Sequence, residues 1–288
     1  MPPEPSPLSA RNPTVQHLRR LFGRRRARSE HGQYVVEGPT LVLEALASGA
    51  EVVEVYLDAE APAGGALAEV AMRAQERGVP VRHLAPGVLG RIADVVAPQP
   101  AMAVVAGRPM PLDELVGQSR GGLVLVLAGV ADPGNAGTLV RTAEAAGASG
   151  VMFGGASVDP LSPKTIRASA GSLFRVPVAT APDPATAVAV LRDAGFTIVG
   201  ATQSGDRPFD RYPWPDDVAL VLGGEAQGLP PGLLGPGDVM VSIPMAGQVE
   251  SLNVAVAGSL LCFEWARRRS AWGYDSARFP ARTSTPLT

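Results

Sequence analysis

Lysine is almost missing from this 288-residue chain: of its 25 Lys and Arg residues only Lys164 is a lysine. It stands in LSPKTI without the preceding glycines that wrap phosphates, which excludes a nucleoside-triphosphate loop of the G-x-x-x-x-G-K type. Cysteine occurs once, at Cys262, so no internal disulfide can form. His17, His31 and His83 are scattered without metal-ligand spacing, and no metal is expected. No apolar run approaches the ~20 residues that cross a bilayer. The opening MPPEPSPLSARN lacks the charged-then-apolar layout of a signal peptide, so a cytoplasmic protein without a membrane partner is expected. Acid is also missing locally. From Pro5 to Ser29 there is no Asp or Glu, while Arg11, Arg19, Arg20, Arg24, Arg25, Arg26 and Arg28 all fall there. In a chain of formal charge −2 that cluster calls for a polyanion.

What is present is 46% apolar and 18% charged, a globular composition, at a length sufficient for two domains. Residues 1–13 are Pro-rich and expected to form a disordered arm. From 14 to 106 helices and strands alternate, beginning with one basic helix over VQHLRRLFGRRR and continuing through the strands YVVEG, VVEVYL, VRHL and AMAVVA. Residues 107–121, rich in Gly, Pro and polar groups, read as a linker with at most one helical turn. A second α/β unit, 122–269, carries the near-continuous apolar strands LVLVLAG, VMFG, VPVAT, FTIVGAT, VALVLGG and VMVSIPM. Such strands, alternating with helices that include SPKTIRASAGSLF, indicate a parallel sheet covered on both faces, with ligands at the carboxyl ends of its strands. Each unit is expected to have its own core. Residues 270–288 read as a flexible tail.

Three of those strand ends carry glycine together with a polar group. DPGNAGTLVRTAE presents Asn135 and Arg141, with Glu144 one turn later; GGEAQGLPPG presents Glu225; AGQVESLNVAVAG presents Ser251 and Asn253. Taken singly these are turn residues, helix caps or a solvated ion pair. Taken together at carboxyl ends of strands they describe a pocket. Gly129, Gly134 and Gly137, with Asp159 beyond them, imitate a dinucleotide-binding turn, but the spacing departs from G-x-G-x-x-G.

NAGTLVRTAEAAG, LVLGGEAQGL and IPMAGQVESLNVAVAGSLL, with KTIRASAGSLFRVPV between the first two, resemble the signature motifs of the SpoU (TrmH-like) RNA ribose 2'-O-methyltransferases, in their usual order. LRRLFGRRRARSEHGQYVVEG is similar to the small RNA-binding domain of rRNA-modifying members. The resemblance spans about residues 14–269. It implies an α/β fold with a deep trefoil knot in the C-terminal methyltransferase domain (122–269), an N-terminal RNA substrate-binding domain (14–106), S-adenosylmethionine as cofactor, a homodimer, and RNA, of the 23S rRNA type, as partner. It places the cofactor on Leu222, Gly223, Gly224, Glu225, Gly228, Ile243, Met245, Ser251, Leu252 and Asn253, largely through backbone groups. Ala226 and Ala255 depart from the family's frequent glycine and serine, and a Cβ at 226 would restrict a turn that needs positive φ.

Carried over to this sequence, the chemistry falls on Arg141, supported by Asn135, Glu225, Ser251 and Asn253. A guanidinium has no lone pair to offer at neutral pH, so Arg141 is expected to stabilise a developing alkoxide and grip phosphate rather than act as base. Arg19, Arg20, Arg24, Arg25, Arg26 and Arg28 are assigned to RNA phosphates, while Cys262, Phe263 and Trp265 are expected to pack the last helix. Three other readings stay open at this level: a tRNA 2'-O-methyltransferase, a non-catalytic RNA-binding dimer of the same fold, and a dinucleotide-dependent oxidoreductase using the Gly129–Gly137 turn.

Overall fold

The computed structural model describes residues 6–62, 64–93 and 97–269. The tail from 270 and the first five residues of the expected arm lie outside the described residues. The N-terminal unit runs α1 (Pro13–Gly23), α2 (Arg25–His31), β1 (Gln33–Glu37), α3 (Pro39–Ala47), β2 (Glu51–Asp58), α4 (Gly65–Glu76), β3 (Val81–Leu84), α5 (Val88–Ala93) and β4 (Ala101–Ala106). Its sheet has the order β1-β4-β2-β3. Strand β4 is antiparallel to both neighbours, and β2 and β3 are parallel.

The second unit runs α6 (Leu112–Gln118), β5 (Leu123–Ala128), α7 (Pro133–Ala146), β6 (Gly150–Gly154), α8 (Pro163–Ala168), a 3-10 turn (Ser172–Phe174), β7 (Val178–Ala181), α9 (Pro184–Asp193), β8 (Thr197–Ala201), β9 (Arg207–Pro208), β10 (Val218–Gly223), β11 (Val239–Ser242) and α10 (Val254–Arg268). The sheet is parallel throughout, in the order β7-β6-β5-β10-β8-β11-β9. Alternation along β5 explains its all-apolar sequence. Leu123, Leu125 and Leu127 enter the core beneath α7 and α10, while Val124, Val126 and Ala128 enter the one beneath α6 and α9.

Several expectations are corrected. Residues 6–13 of the arm are ordered: Leu8 N–H donates to the His83 carbonyl at 2.8 Å and the Leu8 carbonyl accepts from Ala85 N–H at 2.9 Å, which adds Leu8 to the edge at β3. Asn12 then caps α1 by accepting from Thr14 N–H. The basic helix is two helices, broken where Arg24 adopts an extended conformation after Gly23. The linker holds the two-turn α6, whose Leu115 is fully buried. SPKTIRASAGSLF breaks at Ala170 and Gly171, both at positive φ. The short strand β9 went unseen. The two units also share a core: one continuous apolar cluster joins Val36, Leu41 and Val105 to Leu139, Ile166 and Leu173. Among the described residues no helix is long and apolar enough to cross a membrane.

Candidate active site

Strand β5 ends at Ala128, and Asp132 caps α7 by accepting from Asn135 N–H at 2.8 Å. That carboxylate occupies the helix N-terminus where a dinucleotide phosphate would sit, and a second anion there is disfavoured. Gly137 serves packing, because a Cβ on it would lie 2.4 Å from the Ala168 Cβ and 2.7 Å from the Thr165 carbonyl. Asp159, the apparent ribose acid, is engaged with Arg28. The dinucleotide reading of this turn therefore falls.

Strand β10 runs on into Gly224, whose N–H donates to the Ala128 carbonyl at 3.1 Å; Gly228 N–H closes the turn on the Gly224 carbonyl at 2.9 Å. A Cβ at Gly223 would stand 2.0 Å from Gly228 C, and one at Gly224 would stand 2.4 Å from the Gly129 carbonyl oxygen. Only glycines let these backbones meet. Ala226 does not strain the turn, since Ala170 is the sole non-glycine at positive φ among the described residues. Ala255 lies buried in the first turn of α10, where its N–H donates to Asn253.

Three strand ends are joined by side chains. Asn135 Nδ2 donates to Glu225 Oε1 at 2.7 Å, and Asn253 Nδ2 donates to Asn135 Oδ1 at 3.0 Å. Asn253 Oδ1 accepts from Ala255 N–H at 2.8 Å, so Asn253, not Ser251, is the N-cap of α10. Both amide orientations follow from their partners. A carboxylate only accepts, which turns the Asn135 amide nitrogen toward Glu225, and backbone N–H groups only donate, which turns the Asn253 oxygen toward α10.

Beside this network lies a cavity of about 1130 Å³ at the ends of β8, β10 and β11. Every residue assigned above to the cofactor lines it, Ser251 and Leu252 included. Thr202, Gln203 and Ser204, after β8, line it as well and were missed, although the strand-end rule applied to FTIVGAT points to them. Glu225 and Glu250 contribute carboxylates, and no Lys, Arg or His lines it among the described residues. Such a cavity suits a ligand with a cationic centre and repels phosphates.

Arg141 is not in the lining. It sits six residues after Asn135, roughly 9 Å further along α7, and is exposed there without a hydrogen bond or ion pair among the described residues. Glu144, its expected partner, binds Arg175 instead. Arg19, Arg20, Arg24, Arg25 and Arg26 are exposed on α1, α2 and the residue between them, with Arg26 paired to Glu30 at 2.6 Å. Arg28 is no RNA ligand. It is 6% exposed, and it bonds Asp159 Oδ2 at 2.5 Å and the Leu21 carbonyl at 2.7 Å. Cys262 and Trp265 are buried as expected, and burial pushes the Cys262 thiol up to about 12, whereas Phe263 is 37% exposed. Among the described residues no group of His, Cys, Asp or Glu is placed to hold a metal.

The sequence profile of the SpoU rRNA Methylase family matches residues 122–263, and that of the MRM3-like substrate binding domain matches residues 12–103. The 23S rRNA (guanosine(2553)-2'-O)-methyltransferase RlmP of Bacillus subtilis (strain 168) is 32% identical over 255 residues, covering 88% of this chain and 96% of its own. The chain belongs to the SpoU rRNA methylase family. Among solved structures, an AdoMet-bound rRNA methyltransferase from Sinorhizobium meliloti matches this SpoU chain with a TM-score of 0.77 at 32% identity, covering 92% of this chain and 98% of that one. The SpoU methyltransferase AviRb from Streptomyces viridochromogenes, in complex with AdoMet, matches with a TM-score of 0.78 at 29% identity, over 91% and 99% of the two chains.

Proposed function

We infer that this chain transfers a methyl group from S-adenosylmethionine to a ribose 2'-hydroxyl of RNA, with 23S-type rRNA as substrate. The observation that carries the reading is the cavity: in a SpoU-family chain, its carboxylates, its apolar walls and a lining free of cationic side chains among the described residues fit a nucleoside bearing a sulfonium. When bound, S-adenosylmethionine supplies an electrophilic methyl group. Leu222, Ile243, Met245 and Leu252 would wall the adenine, and the glycines at 223, 224 and 228 would leave backbone groups open to it. Glu225 and Glu250 favour the positive centre, and Ser251 and Asn253 add neutral donors that do not repel it. Asn135 holds Glu225 and Asn253 in register.

Arg141 stabilises the oxygen as it gains negative charge and grips an adjoining phosphate. Its place outside its own cavity favours delivery to the partner's cavity in a homodimer. We place the trefoil knot in the segment from Leu222 through α10, which packs against α7 through Gly258 and Leu139. The N-terminal unit holds RNA through its five exposed arginines from Arg19 to Arg26. The intact Asn135–Glu225–Asn253 network argues against a non-catalytic RNA-binding dimer, and the relative named for 23S rRNA favours rRNA over tRNA.

The deciding experiment maps 2'-O-methylated positions in total RNA from cells with and without the gene. One 23S rRNA ribose is expected to lose its methyl group, and an unchanged rRNA with a lost tRNA mark would overturn the substrate. Affinity for that RNA should fall with log salt in proportion to the phosphates neutralised, and a salt-independent affinity would remove the arginines from the interface. A third test addresses the pocket. Gly224→Val drives a side chain into the Gly129 carbonyl, whereas Gly235 faces open space. Calorimetry is expected to show S-adenosylmethionine binding abolished in the first variant and retained in Gly235→Ala; undiminished affinity in Gly224→Val would relocate the pocket.

A further inference from the structure

Glu144 stands one turn after Arg141 on α7, at the i,i+3 spacing where opposite charges on a helix meet. Left to itself, that carboxylate is the natural partner for the Arg141 guanidinium. In the structure it turns to Arg175 instead. Arg175 Nε and Nη2 both donate to the Glu144 carboxylate, the latter at 3.3 Å, and Arg175 Nη1 donates to Glu44 Oε2 at 2.8 Å. Arg175 directly follows the 3-10 turn Ser172–Phe174, which opens at Gly171 with φ +89° against the Glu44 side chain. One guanidinium therefore holds a carboxylate from α3 of the N-terminal unit and one from α7. The bond from Arg175, helped by the Ser172 side chain and by the charge of nearby Arg141, keeps the Glu144 carboxyl below its usual range. Arg141 is left without a hydrogen bond or ion pair among the described residues.

We propose that Arg175 is a positioning residue that keeps Glu144 out of a direct ion pair with Arg141 and so leaves the N–H groups of the Arg141 guanidinium free for RNA. The inference rests on the reading of Arg141 as the cation that meets phosphate and ribose. Without Arg175, the Glu144 charge both pairs with Arg141 and repels the incoming phosphate. Each is a modest solvent-screened effect, and together they cost about threefold to tenfold in kcat/KM.

The test compares Arg175→Gln, Glu144→Gln, the double variant and Glu44→Gln in methyl transfer to the 23S rRNA substrate, with S-adenosylmethionine affinity measured for each. Arg175→Gln is expected to lose that threefold to tenfold at unchanged cofactor affinity. Adding Glu144→Gln is expected to restore the wild-type rate, a rescue that a merely structural role for Arg175 would not allow. Glu44→Gln, which leaves the grip on Glu144 in place, is expected to keep the wild-type rate. A wild-type rate in Arg175→Gln, or a double variant as slow as the single one, overturns the proposal. Arg141→Ala run in parallel separates the two readings. If it is slow while Arg175→Gln is fast, only the positioning role fails; if Arg141→Ala keeps full activity, both readings fail.

Discussion

Asp159→Ala is expected to destabilise the folded chain by about 3–5 kcal/mol, the cost of leaving a buried charge without its partner. The Arg28 side chain is 6% exposed and that of Asp159 13%. Arg28 Nε and Nη2 both donate to Asp159 Oδ2, at 2.9 and 2.5 Å, while Nη1 reaches the Leu21 and Phe22 carbonyls at 2.7 and 3.2 Å. Those carbonyls lie at the end of α1, so the guanidinium cannot swing out to water without unsealing that helix. Asp159 Oδ1 also accepts from Leu161 N–H at 3.0 Å in the turn leading to α8. Exposed pairs between the two units are worth far less, and Arg175–Glu44, with side chains 41% and 42% exposed, is one of them. Replacing both partners by apolar residues of similar size, Arg28→Met with Asp159→Leu, removes the stranded charge and should recover most of the loss. Urea unfolding of the three proteins checks this. An Asp159→Ala midpoint at the wild-type value, or a double variant as weak as the single one, would show that the pair carries no such energy.

This pair also marks where the sequence stops being legible. Arg28 belongs to a run of positive charge, and nothing local distinguishes it from Arg24, Arg25 or Arg26. Its fate is set by a carboxylate 131 residues away. The same holds for Arg175, whose partners on α3 and α7 meet only in the folded chain. The strands were readable because burial on both faces demands unbroken Val and Leu, and the cavity loops because glycine at a strand end next to a polar group has few other uses. Other misses had local signals. Gly23 announced the break between α1 and α2, Gly171 the break after α8, and Pro111 followed by Asp113 and Glu114 announced the start of α6. The hydrogen bonds among Asn135, Glu225 and Asn253 depend on β10 lying next to β5 in the sheet, an order that periodicity does not encode.

Arg141→Lys is expected to slow methyl transfer by about 100-fold or more, comparable to removing one preorganised oxyanion donor, with cofactor affinity little changed. The cofactor should be indifferent because Arg141 does not line the cavity. The rate should suffer because a planar fork can hold a phosphate oxygen and the developing alkoxide together, whereas an ammonium presents a point charge on a flexible stem. Glu144 is already bound by Arg175, so a lysine at 141 would meet RNA with the same local charge and differ chiefly in geometry. The alternative, in which residue 141 removes the hydroxyl proton, makes the opposite forecast. Lysine, with an ordinary pKa of about 10.4, gives up its proton more readily than a guanidinium, so the variant would gain activity as pH approaches that value. Single-turnover rates of both proteins from about pH 6 to about pH 10 separate the two, since the base reading requires the lysine enzyme to converge on the wild-type rate toward its own pKa. A deficit that stays constant across the range supports charge stabilisation by the fork. Recovery to near-normal rates at high pH would restore Arg141 as the base and remove the electrostatic role assigned to it.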